Sequence, residues 1–167
     1  DDDPAVLAVI ARRGVTLLTV RTLAMWGAPG FLAKALRALA AHGISVDLVA
    51  TSQSAVTVTL DHVPDGLGGA PLRRALDALD ALGEVELLPD RAVVSIVGRH
   101  IRTVLPDLGS SFTAFAEKRI HLVSASSEDL DLSFVVDPED AARLVRDLHA
   151  RLFTTGDAVP WLGPSWG

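Results

Sequence analysis

The sequence contains no cysteine and no tyrosine, and aromatic residues fill only 5% of its 167 positions. Without cysteine there is no disulfide, no thiolate metal site and no cysteine nucleophile. That fits a reducing, cytoplasmic setting. Few aromatics leave no platform for stacking bases, and a net charge of −6 disfavours a surface for nucleic-acid phosphates. No apolar run approaches the roughly 18 residues of a membrane helix. Neither a nucleic acid nor a membrane is therefore an expected partner. His42, His62, His100, His121 and His149 show no i, i+4 or H-x-H spacing, so no metal site is expected. A phosphate-binding G-x-x-x-x-G-K-[ST] loop and a G-x-S-x-G nucleophile elbow are both missing. No nucleophile, base or metal pair supports an enzyme, and no catalytic residue is expected. The chain opens Asp1-Asp2-Asp3-Pro4 with neither signal peptide nor Met, which suggests a piece of something longer.

What is present is apolar and regularly punctuated. Hydrophobic residues make up 49% and mean hydropathy is +0.35, enough for a substantial core. Residues 5–13 (AVLAVIARR) read as a short helix with a basic last turn, stopped by Gly14. Residues 15–22 (VTLLTVRT) read as a strand. A glycine-punctuated loop from Met25 to Gly30 leads into a helix whose apolar stripe is Phe31, Leu32, Ala35, Leu36, Leu39 and Ala40. Gly43 ends it. Strands 44–51 and 55–61 follow, joined by a tight Ser52-Gln53-Ser54 turn. A glycine-rich loop, 62–70, precedes a helix with Pro71 at N1 and a stripe of Leu72, Ala75, Leu76, Leu79 and Leu82. Gly83 stops it, 84–88 is a short strand, and Pro89-Asp90 closes the unit.

The pattern then begins again. Strand 92–97 is followed by a helix between Thr103 and Arg119, by strands 120–126 and 130–136, and by a helix with Asp137 as N-cap and Pro138 at N1. Its buried side is Ala141, Leu144, Val145 and Leu148. Residues 40–61 lie over 116–137 without a gap, at an offset of 76, with apolar and polar phases in agreement. Such a repeat means two copies of one supersecondary unit. The order β-α-β-β-α predicts an α+β fold. It has two ferredoxin-like (βαββαβ) domains in tandem, with helices on one face of each antiparallel sheet. The expected organisation is 1–14 as a leading helix or linker, 15–90 as the first domain, 91–155 as the second and 156–167 as a tail.

Three places could carry chemistry. The Met25–Gly30 loop feeds a helix start, whose free N–H groups suit a carboxylate or phosphate. Strict alternation along Ile44–Val49 puts Ser45 and Asp47 on one face and Val46 and Leu48 on the other; Asp47 could be the counter-ion of an ammonium. Thr51-Ser52-Gln53-Ser54 could bind a ligand or satisfy only its own turn.

These residues resemble the C-terminal regulatory region of aspartate kinases, and lysine-sensitive members most of all. The resemblance rests on Val15-Thr-Leu-Leu-Thr-Val, Gly30-Phe31-Leu32, Ile44-Ser-Val-Asp47, Thr51-Ser52 and Val56-Thr-Val-Thr-Leu-Asp61. In the second copy it rests on Ser126-Ser127-Glu128, Leu132–Val136, Glu139-Asp140-Ala141 and Leu148-His149. It implies a tandem pair of ACT domains, the amino-acid sensors of a kinase that phosphorylates aspartate. The implied effector is lysine, or else threonine, bound in the first unit. The implied contacts are Met25, Ala28, Gly30, Phe31 and Leu32 at the helix start, Ser45, Val46 and Asp47 on the strand, and Thr51, Ser52 and Gln53 at the hairpin. Gln53 stands where lysine-sensitive relatives carry Glu, Ala28 where they carry Ser, and Asp131 where the family has Asn.

The resemblance further implies a homodimer through the ACT domains and a kinase catalytic domain elsewhere in the full chain. ATP and Mg would belong to that kinase domain, with no cofactor here. Gly163-Pro164-Ser165-Trp166 is similar to fusions of the kinase with a diaminopimelate decarboxylase. The alternative from a different class is a dimerisation module that binds no ligand. In the family, the second unit's last strand comes from ahead of the first unit. The chain is expected to start too late to contain that strand, so either Leu152–Thr155 fills the edge or the edge is bare.

Overall fold

Two strands longer than an ordinary domain requires organise the molecule. The computed structural model describes residues 6–23, 29–101 and 119–153. Its elements are β1 (Val6–Arg21), α1 (Phe31–Ala40), β2 (Ser45–Thr51), β3 (Ala55–His62), α2 (Ala70–Asp80), β4 (Glu84–Gly98), β5 (Ile120–Ala125), β6 (Asp131–Val136) and α3 (Pro138–Leu152). The strands form one sheet in the order β2-β3-β1-β4-β6-β5, with every neighbouring pair antiparallel. β1, at 16 residues, is about 50 Å long.

The sheet resolves into two overlapping four-stranded halves. The first unit is β2-β3, the end of β1 and the start of β4. The second is β5-β6, the end of β4 and the start of β1. The expected α+β pair of ferredoxin-like units is therefore present. The helix expected between Thr103 and Arg119 and the tail 156–167 lie outside the described residues, apart from Arg119.

The segment read as a helix over 5–13 is strand from Val6 on. Ala8, Ile10 and Arg12 pair with Val97, Ser95 and Val93. This supplies the second unit's fourth strand, so the expectation that the chain lacks it is overturned. Local pattern misleads here because the pairing partner is distant in sequence. The exposed edge of Val93–Val97 is satisfied only by this segment, and that outweighs a weak helical preference. Pro89-Asp90 likewise does not end a strand, since β4 runs through it.

Two irregularities at the junction let both halves use the same face. Between Arg12↔Val93 and Val15↔Arg91, β1 carries one extra residue, and Gly14 takes φ +71°. Between Val15↔Arg91 and Leu17↔Leu88 the extra residue is on β4, where Asp90 takes φ +55°. A bulge of this kind flips side-chain phase and bends the strand. Hence Leu18 and Val20 of β1 face α1 and α2, while Val9 faces α3.

Three clusters form the interior. Leu18, Val20, Val56, Val58 and Leu60 pack under Phe31, Ala35, Leu39, Leu72, Ala75 and Leu79. Val94, Ile96, Leu132 and Phe134 pack under Ala141, Leu144 and Leu148. Val15, Leu17, Val93, Leu122 and Val135 join the helix-free faces of the two halves to each other. The sheet thus curls with helices outside, and its edge strands β2 and β5 approach one another. Among the described residues no helix is long and apolar enough to cross a membrane.

Gly83 is the tightest joint in this frame. A Cβ there would collide with the carbonyl oxygen of Arg21, a backbone atom that cannot move aside, whereas Gly68 has open space. Gly83→Ala should cost about 1–3 kcal/mol, in the range of overpacking. Urea denaturation should show this as a lower midpoint, with Gly68→Ala near wild type.

Candidate functional site

α1 begins at Gly30, which takes φ +78°, a conformation that favours glycine. Among the described residues no side chain caps it, and the N–H groups of its first turn have no partner within the helix. Phe31 is buried in the core and Leu32 is partly exposed beside it. Met25 and Ala28 lie outside the described residues.

The hairpin lies at the same end of the first unit. The Thr22 N–H donates to the Ser54 carbonyl at 2.8 Å, tying the turn to the chain that leads toward α1. Ser52 donates its N–H to the Ala55 carbonyl at 2.8 Å, and its hydroxyl lies 3.4 Å from the Ser54 N–H. Part of the hairpin's polarity is thus used by the turn itself. Thr51, Ser52 and Gln53 are all exposed.

Ser45, Val46 and Asp47 lie at the other end of β2. Asp47 and Thr51 are four steps apart along the strand, about 13 Å. One copy of the chain therefore places the implied contacts in two groups rather than one. Among the described residues β2 is an edge strand, paired only with β3.

Alternation along β2 is broken, contrary to the sequence expectation. Between Val46↔Leu60 and Val49↔Val58 the strand carries one extra residue. The Leu48 N–H turns to the buried Thr59 hydroxyl at 2.8 Å. This bulge sends both Asp47 and Leu48 to the helix-free side. There they line a cavity of about 340 Å³ with Arg12, Val93, Ser95 and Ser133, between the two halves.

Asp47 is not alone in that cavity. Arg12, from the second-unit segment of β1, pairs with the Asp47 carboxylate through Nη2 and with Asp61 Oδ1 through Nη1 at 2.9 Å. All three side chains are nearly half exposed. Sequence reasoning missed Arg12 because it sat in the presumed leading helix. Its signal was the Arg12-Arg13-Gly14 run, a basic pair followed by a glycine able to bulge.

The second unit holds a related arrangement. Asp137, the counterpart of Asp61 in the repeat, accepts from Arg91 and lies 2.8 Å from His121 Nε2. As expected it is the N-cap of α3; its backbone carbonyl accepts the Asp140 N–H at 3.1 Å, while its side chain makes no capping bond. The hydrogen bond from His121 holds the Asp137 carboxyl below its ordinary value. Burial opposes this, and the charges of His121 and Arg91 assist it. Among the described residues no group of His, Asp and Glu could hold a metal ion.

A carboxyl with a lowered folded-state pKa binds its proton more readily when unfolded. Its stabilisation is therefore complete above the unfolded value and lost as pH falls through the folded one. Asp137→Asn should remove this acid-side loss and cost about 1–3 kcal/mol at neutral pH, as for a hydrogen bond to a charged group. Urea midpoints from pH 7 down to 3 should converge for the two proteins. Parallel curves would refute the assignment.

No family model matches the chain. It is 34% identical over 165 residues to chloroplastic aspartokinase 2 of Arabidopsis thaliana, covering 93% of this chain and 30% of that protein. It is 34% identical over 155 residues to lysine-sensitive aspartokinase 3 of Escherichia coli, covering 92% and 34%. It thus spans about a third of the length of these curated relatives. The structure of E. coli aspartokinase III in complex with lysine and aspartate matches with a TM-score of 0.78 at 32% identity, over 92% of this chain and 34% of that one. The regulatory subunit of aspartate kinase from Thermus thermophilus, in its ligand-free form, matches with a TM-score of 0.69 at 26% identity, over 90% and 100%. The chain is homologous to the C-terminal, regulatory portion of the aspartokinases, and its α+β fold is that of their ACT regulatory domains.

Proposed function

We propose that this chain is the amino-acid sensor of a cytoplasmic aspartate kinase. In this reading the first ACT unit binds lysine, with threonine as second choice, and the sensor passes that occupancy to a kinase catalytic domain as feedback inhibition. It contributes no catalytic residue, and ATP and Mg belong to the kinase part. The observation that carries the reading is similarity, over nine-tenths of the chain, to an aspartokinase solved with lysine.

The geometry supplies a reason for a dimer. The two groups of implied contacts stand at opposite ends of β2, whose outer edge pairs with no described strand. Two β2 strands aligned antiparallel about a two-fold axis bring Asp47 of one copy toward Thr51 and Gly30 of the other. The effector's carboxylate then meets the N–H groups at the start of α1, and an ammonium meets Asp47. Coupling of about 1–3 kcal/mol between sensor and kinase is enough for regulation of this kind.

Lysine at a hundred times its dissociation constant should stabilise the chain by about 2.7 kcal/mol, roughly 5–11 °C in melting midpoint. Light scattering should give a dimer. Gln53→Glu should tighten lysine about five- to thirtyfold and leave threonine unchanged, because a charged partner strengthens a hydrogen bond to an ammonium. Calorimetry with lysine, threonine, methionine and diaminopimelate decides the effector. No heat and no shift with any of them would favour a dimerisation module without ligand.

A further inference from the structure

Arg12 is the only side chain described that bridges two carboxylates on different strands of the first unit while its own backbone belongs to the second. Its main chain pairs with Val93, yet its guanidinium reaches Asp47 on β2 and Asp61 at the end of β3. We propose that Arg12, anchored on Asp61, is a positioning residue for the effector site. It fixes the Asp47 carboxylate toward its ligand and carries the occupancy of Asp47 into the strand of the second unit. The inference rests on the reading of Asp47 as the counter-ion of the effector's ammonium.

The internal repeat separates anchor from function. Asp61 and Asp137 occupy equivalent positions, and each is held by an arginine from a long strand, Arg12 in one case and Arg91 in the other. An arginine on this aspartate is thus common to both units. Asp47 is not, since its counterpart at the offset of 76 is Val123. Among the described residues, the first unit alone adds a second carboxylate to the anchored guanidinium.

The chemistry leaves room for a ligand. Two carboxylates and one guanidinium carry one net negative charge, so a further cation is still attracted. Arg12 takes Asp47 Oδ2 and, among the described residues, Oδ1 accepts no hydrogen bond. Only a planar fork can hold two carboxylates at once in fixed directions; an ammonium is a single point of charge. Asp47 also needs fixing, because it sits on a bulge where strand alternation does not set its direction. A bent strand with one immobilised carboxylate offers a ligand less freedom to remove on binding.

The test is lysine titration of this chain by calorimetry, with Arg12→Gln, Arg12→Lys, Asp61→Asn and Asp47→Asn. Arg12→Gln and Asp61→Asn should each weaken lysine about two- to fivefold, although in this reading neither residue touches it. Arg12→Lys, which keeps the charge and loses the fork, should not restore affinity. In wild type, the Arg12 guanidinium resonance should shift when lysine saturates the site, and this shift should vanish in Asp47→Asn. A structural role for Arg12 alone would not produce that signature. Wild-type or tighter affinity in Arg12→Gln and Asp61→Asn, with Asp47→Asn impaired, overturns the positioning role and leaves the effector site standing. Wild-type affinity in Asp47→Asn overturns both. If Arg12→Gln fails to fold, Asp61→Asn and the guanidinium signal decide alone.

Discussion

The pairing of β1 with β4 is the constraint on which everything else depends. Each strand is the fourth strand of one unit and the first of the other, so a single ladder from Val6↔Gly98 to Arg21↔Glu84 runs through both. Neither unit can shift against the other without breaking hydrogen bonds that no other strand can replace. The complementary bulges at Gly14 and Asp90 then settle which side chains face which way. They curl the sheet and bring its two helix-free faces together over Val15, Leu17, Val93 and Val135. The cavity beside Asp47 exists because of that curl.

Within this frame the two repeats use the same devices at the same places. Thr19 and Thr57 face each other across β1 and β3 with hydroxyls 3.0 Å apart, and Ser95 and Ser133 do the same across β4 and β6 at 2.7 Å. These pairs fall at equivalent positions on the helix-free face, where a buried hydroxyl needs a partner. The units diverge where charge is concerned. Asp47 stands opposite Val123 in the alignment, and Ser45 opposite His121, which is almost fully buried against Asp137. The second unit spends its polar side chains on its own integrity; the first leaves a carboxylate half exposed on an edge strand.

Much of the fold was legible because its signals are local. Ala55–Asp61 alternates, Phe31–Ala40 carries a stripe at helical spacing, and the hairpin turn is short and polar. The observed β2, β3, β5, β6, α1, α2 and α3 lie close to the segments expected for them. The candidate site was legible as three separate stretches with chemical promise, and only the resemblance joined them into one. The structure places Gly30, Thr51 and Ser52 at one end of the unit and Asp47 at the other, on a bulge that strict alternation cannot anticipate. A bulge depends on which residues the neighbouring strand offers, here the Thr59 hydroxyl for the Leu48 N–H. Asp137 stands at the N-cap that its sequence context announces, but the partners of its carboxylate, Arg91 and His121, are distant in sequence and could not be read locally.

The sequence by itself determined the repeat, the α+β class, the hairpins and the helical faces, since each follows from periodicity within a dozen residues. It also carried the family likeness, through short runs such as Ile44-Ser-Val-Asp47. Tertiary structure decided what depends on partners far along the chain. It made residues 6–12 a strand, because Val93–Val97 would otherwise be a bare edge. It merged two expected sheets into one, because β1 and β4 are each long enough to serve both units. It gave Asp47 a companion in Arg12, because the curl of the sheet brings the start of β1 over β2. Periodicity reports which face of an element is apolar; only folding reports which element lies against it.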